Sequence, residues 1–155
     1  MWRTFLRAHA SITRQMEHDL AEQHMLPLPS YDVLLQLAES PQRRLRMTDL
    51  ADRVLLSRSG LSRLVDRLTK EGLVAREPCP SDARGTFTVI TDKGLARLRE
   101  AAPTHLRGIQ EHVTSRLNPT ELDQRGRLLR KLLPEADAVP VGGCAPAEED
   151  QAAAG

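Results

Sequence analysis

SRSGLSRLVDRLTKEG, residues 57–72, sorts its side chains onto two faces of a single helix. Leu61, Leu64, Val65 and Leu68 recur at three- and four-residue spacing and form a stripe that has to be buried. The opposite face carries Arg58, Ser59, Ser62, Arg63, Arg67 and Lys70. Ser57 or Ser59 is available as the N-cap, and Gly72 is placed to end the helix. Guanidinium groups donate paired bonds to guanine edges or clamp phosphates, and serines bond bases or backbone, so this mixture suits a DNA major groove. A solvated, arginine-rich surface helix would show the same composition. The flanking sequence separates the two readings.

Upstream, Thr48 reads as an N-cap, with Asp49 at the positive end of the helix macrodipole and Leu50, Ala51 and Val54 on the inner face of a short helix. Only a few residues separate it from the helix at Arg58, which is the helix-turn-helix spacing. The basic connector 42–47 before it is long enough for a brief strand. Downstream, residues 73–77 and 86–91 read as two short strands around an eight-residue loop, 78–85. Phe87 and Val89 alternate with threonines and are expected on the face packed against the helices. The projecting loop, bearing an arginine, is a wing.

At the N-terminus Trp2, Phe5, Leu6, His9, Ile12, Met16 and Leu20 make an apolar stripe that needs a partner. A proline-marked break at 25–29 precedes a short helix with Ser30 as its cap. Thr91 caps a long helix with a stripe at Leu95, Leu98, Ala102, Leu106, Ile109, Val113 and Leu117. Asn118-Pro119-Thr120-Glu121 then supplies a capping-box start for a final helix. The expected organisation is mainly α with a small β-hairpin wing. It comprises a winged helix-turn-helix DNA-binding domain at 30–93, a helical dimerisation region at 1–24 and 94–133, and a disordered acidic tail at 134–155.

The 155-residue chain carries a net charge of only +1, but its charges are segregated. Residues 41–76 hold nine cations against four anions, whereas the tail after Leu133 holds five acids and no cation. No apolar run approaches membrane-spanning length and no signal-type core opens the chain, so a soluble cytoplasmic protein without a membrane partner is expected.

Asp82-Ala83-Arg84 followed by Val89-Ile90-Thr91-Asp92-Lys93-Gly94 resembles the Asp-x-Arg wing and its exit in the MarR (multiple antibiotic resistance regulator) family. Residues 57–68 and Glu71-Gly72-Leu73-Val74 resemble that family's recognition helix and its run into the wing; the resemblance spans about residues 1–133, with Ile90 where leucine is usual. It implies a homodimer whose N- and C-terminal helices interdigitate and present two winged helices to successive turns of double-stranded DNA. Ser59, Ser62 and Arg63 would face base edges, and Arg58 and Arg67 phosphates or the groove margin. Arg84 would enter the minor groove, with Asp82 orienting it. The resemblance further implies release by a small effector, such as an aromatic acid, lodged between the dimer region and the DNA-binding lobe. Trp2, His9, Arg14 and Tyr31 have suitable chemistry for it.

Other chemistries find little footing. Cys79 and Cys144 are far apart and form no metal or redox motif. His105 and His112 lie seven residues apart on one helix, about 10 Å by helical rise, too far to share an ion, so no metal or other cofactor is expected. No phosphate loop or paired acid and base marks an enzyme. The competing reading is a winged-helix module that touches phosphates without reading sequence, or that binds protein.

Overall fold

The computed structural model describes residues 1–54, 56–79 and 82–133, the side chains of 82–84 excepted. In chain order the elements are α1 (Trp2–His24), α2 (Leu28–Glu39), a 3-10 turn (Pro41–Arg43), β1 (Arg44–Arg46), α3 (Met47–Arg53), α4 (Arg58–Lys70), β2 (Val74–Cys79), β3 (Asp82–Ile90), α5 (Asp92–His112), a second 3-10 turn (Thr114–Arg116) and α6 (Pro119–Arg130). The strands form an antiparallel sheet in the order β1-β3-β2. The expected architecture, mainly helical with a small β wing, is the one found. Met1–Arg116 form one compact unit, and the chain from Leu117 onward a second, whose described part is α6. The expected disordered tail at 134–155 lies outside the described residues. Among those described, no helix is long and apolar enough to cross a membrane.

The core of the first unit gathers around α4. Leu61, Val65 and Leu68 are fully buried, and they join Leu20, Val33, Leu34, Leu37 and Leu50, likewise inaccessible, in one apolar cluster. Each such side chain contributes roughly 1.5–3 kcal/mol relative to remaining exposed.

Two helix starts differ from expectation, and two others form as expected. Ser30 does not cap α2: the helix begins at Leu28 after Pro27, and Pro29 sits in the first turn, where a missing N–H costs nothing. Ser30 is thereby carried into the interior, at 1% exposure. Thr48 does not cap α3 either, because β1 runs straight into that helix with Arg46 at the cap position, and the Thr48 hydroxyl donates to Asp49 Oδ1 at 3.2 Å. Of the two serines available for α4, Ser57 is the cap; it accepts from Gly60 N–H at 3.2 Å. The Asn118–Glu121 capping box of α6 forms in both directions.

The wing departs from expectation in register. β2 and β3 pair from Val74↔Ile90 to Pro78↔Thr86, then slip at Pro78/Cys79 so that Cys79 faces Asp82. The strands therefore consume most of the expected 78–85 loop, and only Pro80 and Ser81, outside the described residues, separate them. The inward face is also the other one. Thr88 is inaccessible and Ile90 is 5% exposed, while Phe87 and Val89 are only half-buried. Burial of Thr88 is offset by its hydroxyl, which donates to Met47 Sδ at 3.2 Å.

α5 also turns a different stripe inward. Leu95 and Leu98 are buried as expected, but burial then passes to Ala101, Thr104 and Gly108, leaving Leu106 48% exposed. The reason is close approach by α1. Thr104 shares a hydrogen bond with His24 Nε2 at 2.9 Å and donates to Gln23 Oε1 at 3.1 Å, and a Cβ on Gly108 would lie 3.4 Å from Met16 Cγ. A leucine face would hold the helices further apart.

Two substitutions test this packing. Thr91 caps α5 by accepting from Gly94 N–H at 3.0 Å, and a Cβ on Gly94 would lie 2.1 Å from the Leu73 carbonyl oxygen. Gly94→Ala should cost about 2 kcal/mol or more in urea unfolding, since backbone must move. Asp32, on α2, is withdrawn from water and close enough to feel Glu17 of α1, which together push its carboxyl up from 3.8 to about 6. The folded chain then holds this proton more tightly than the unfolded one. The contribution to stability is complete below about pH 4 and is lost as pH rises through about 6. Asp32→Asn should flatten that decline, so its stability relative to the parent should rise across this window and level off above it in urea titrations.

Candidate nucleic-acid interface

With its apolar stripe buried, α4 has one orientation, and Arg58, Ser59 and Arg63 stand exposed on its free face with Ser62 half-buried beside them. Among the described residues, neither Arg58 nor Arg63 has an ion-pair or hydrogen-bond partner. Ser59 lies in the first turn, its hydroxyl 3.3 Å from that of Ser57. Arg67 is more committed: it donates to the buried Ser30 hydroxyl at 2.9 Å and lies 3.8 Å from Glu71, so it joins α4 to the start of α2. Among the described residues, the arginines of this face therefore divide into two without partners, Arg58 and Arg63, and one that is anchored, Arg67.

Two shallow clefts flank this ridge. Arg63 and Arg67 border one, with Pro29 and Leu56; Arg58 and Ser62 border the other, with Arg76 of β2 and Thr48 of α3. Arg76 also donates to Asp66 of α4 at 2.7 Å, tying the wing to the helix. Asp82 and Arg84 lie at the start of β3, but their side chains lie outside the described residues.

The four residues chosen for an effector are not brought together in the chain. Trp2 is 67% exposed and stacks on Phe5, 5.9 Å between centroids, while His9 and Arg14 lie on exposed parts of α1. Tyr31 is instead buried where α2 meets α5, stacked on His105 at 4.3 Å. Burial holds the His105 imidazole below its ordinary value, favouring the neutral ring in that stack. Among the described residues, no group of three or more His, Cys, Asp or Glu side chains is arranged to hold a metal. Cys79 is buried at the end of β2, and its sulfur accepts from Arg46 at 3.2 Å.

Comparison with known proteins settles the family. Residues 26–85 match the sequence profile of the MarR family. Sco3205 of Streptomyces coelicolor, a MarR family transcriptional regulator solved in complex with DNA, is 40% identical, with a TM-score of 0.81 over 88% of this chain and 91% of that one. The chain belongs to the MarR family. YkoM of Bacillus subtilis, an HTH-type transcriptional regulator, is 30% identical over 84% of this chain and 82% of its own. MprA of Escherichia coli K12, a transcriptional repressor, is 29% identical over 71% of this chain and 62% of its own. The protein is thus a MarR-type winged helix-turn-helix transcriptional regulator, a family of regulators rather than enzymes.

Within this MarR protein, two braces escaped the sequence reading. One is Asp66–Arg76; the other is a pair of arginines in β1 that lie over Phe87. A signal for the second was present, because an Arg-x-Arg strand puts both cations on one face. What the sequence lacked was the register placing Phe87 under them.

The split between anchored and unpaired arginines is open to test. Arg67→Ala strands the Ser30 hydroxyl in the interior and should cost about 1 kcal/mol in urea unfolding followed by circular dichroism. Arg63→Ala should stay within about 0.5 kcal/mol of the parent in the same assay.

Proposed function

We propose that the protein represses transcription as a homodimer bound to an inverted-repeat operator, and that a small effector releases it. The observation that carries this reading is the pair Arg58 and Arg63, exposed and unpartnered among the described residues on the outward face of a helix whose other face is sealed in the core. Leaving two guanidiniums without carboxylate partners serves the fold little and a polyanion well. In this reading Ser59, Ser62 and Arg63 meet base edges in the major groove. Arg58 takes phosphate, Arg67 the groove margin beside its Ser30 anchor, and Arg84, oriented by Asp82, the adjacent minor groove.

The dimer reading, with 1–24 and 94–133 as its helical region and 30–93 as the DNA-binding domain, draws support from apolar surface. α1 exposes Trp2, Phe5 and Leu6, and α6 exposes Leu128 and Leu129, followed by Leu132 and Leu133. Two-fold pairing through such faces would set half-sites about one helical turn apart. Repression follows the likeness to MprA, and DNA binding the likeness to Sco3205. Trp2, His9, Arg14 and Tyr31 remain the candidates for the effector; Tyr31 is buried between α2 and α5, and the other three stand exposed on α1.

The test is fluorescence anisotropy against DNA from upstream of the gene and against a shuffled duplex, across a salt series. Tight binding of a dimer to the first alone is expected, and Arg63→Ala should lose about 1–3 kcal/mol there. Equal affinity for both duplexes with the same steep salt dependence would instead favour a phosphate-binding module without sequence preference.

A further inference from the structure

The three residues of β1 divide cleanly. Leu45 points into the core at 6% exposure, so Arg44 and Arg46 share the outer face of the sheet. Opposite them in β3 stand Val89 and Phe87, and Phe87 in turn faces Glu77 of β2. Both guanidiniums lie over the Phe87 ring, at 4.8 Å for Arg44 and 5.7 Å for Arg46.

They do not stop at the ring. Arg44 Nη1 lies 3.9 Å from Glu77 Oε2, and Arg46 Nη2 donates to Cys79 Sγ at 3.2 Å. β1 and β2 are not neighbours in the sheet, so two side chains from one edge strand cross the central strand and fasten to the other edge. Their targets, like their origins, are two residues apart. The Arg46 contact falls on Cys79, directly after the register slip that separates the regular ladder from the Cys79↔Asp82 rung. That is where backbone pairing alone constrains the hairpin least.

We propose that Arg46, with Arg44 beside it, is a positioning residue for the wing: stacked on Phe87 and bonded to Cys79, it fixes the direction in which the β2–β3 hairpin leaves the sheet. This rests on reading Arg84 as a DNA contact. Arg46 itself stays off the DNA, its guanidinium being engaged with the ring and the sulfur. A lysine keeps the charge but loses the planar stack and the reach to the sulfur, and so does not substitute.

Hydrogen exchange of the free protein tests the brace without DNA. Arg46→Lys, and separately Phe87→Leu, should speed exchange of the backbone amides of 82–86 by roughly threefold, with α1 and α5 unchanged. Unchanged exchange there in both variants overturns the proposal whatever DNA binding shows. Anisotropy then uses the operator duplex with Arg46→Lys, Arg84→Ala and the double variant. Arg46→Lys should weaken binding roughly two- to fivefold with the parental salt slope, and should add nothing once Arg84 is gone. A full additional loss in the Arg84→Ala background would overturn the proposal. So would a salt slope lower by about 0.9 in Arg46→Ala that lysine restores, because Arg46 would then be a phosphate contact. Parental affinity in Arg84→Ala would sink the wing-contact reading instead, and faster exchange at 82–86 would still mark Arg46 as the brace of the hairpin.

Discussion

Burial of the α4 stripe is the constraint from which the DNA-binding lobe follows. Leu61, Val65 and Leu68 are inaccessible and Leu64 nearly so, and residues of α1, α2, α3, β2 and α5 complete the same cluster. Rotating α4 by even a quarter turn would expose leucines and bury Arg58 or Arg63, at a cost of several kcal/mol either way. Core packing therefore aims the polar face. Ser57, by capping the first turn, fixes where that face begins.

This explains what the sequence disclosed and what it did not. The α4 face, the Ser57 cap, the Thr91 cap and the Asn118–Glu121 box are local patterns within a few residues, and each is present. Two other local signals, Ser30 and Thr48, do not cap because the chain enters those helices earlier, and the remaining differences lie where a choice depends on a distant partner. Alternation in 86–91 showed that one face of β3 was inward but not which; Met47, from another element, accepts the Thr88 hydroxyl and makes burial of a threonine tolerable. Hydrophobicity alone picks out the Leu95–Leu117 stripe, whereas closeness to α1 selects Ala101, Thr104 and Gly108 of α5. For the site, the residue types on α4 were legible, but their division into anchored and unpaired cations was not, because Ser30 is thirty-seven residues away from Arg67.

The seam between α1 and α5 has a different character from the core. His24, Gln23 and Asp19 on α1 meet Thr104, Arg107 and His112 on α5 through hydrogen bonds and a 3.5 Å His112–Asp19 contact. Arg97 also donates to the His24 carbonyl. The same side of the fold holds Asp32, whose carboxyl resists ionisation, and the stacked Tyr31–His105 pair. Polar seams of this kind specify geometry more than they add stability, and losing its partners would leave the buried Thr104 hydroxyl unsatisfied.

The near-neutral total charge acquires a meaning from this arrangement. The cations of residues 41–76 are not one undifferentiated patch. Arg44, Arg46, Arg67 and Arg76 are spent inside the lobe, on a ring, a sulfur, a hydroxyl and carboxylates. Each fixes the relation of one element to another, wing to sheet or α4 to α2 and β2. Guanidinium suits this work because it stacks and donates in a plane at once, where an ammonium does neither. Arg58 and Arg63, among the cations that remain, stand on a surface whose shape is already fixed, so that little ordering remains to oppose binding when a polyanion arrives. In this lobe, arginine both builds the frame and meets the ligand, and which role a given arginine plays is decided by whether the fold supplies it with a partner.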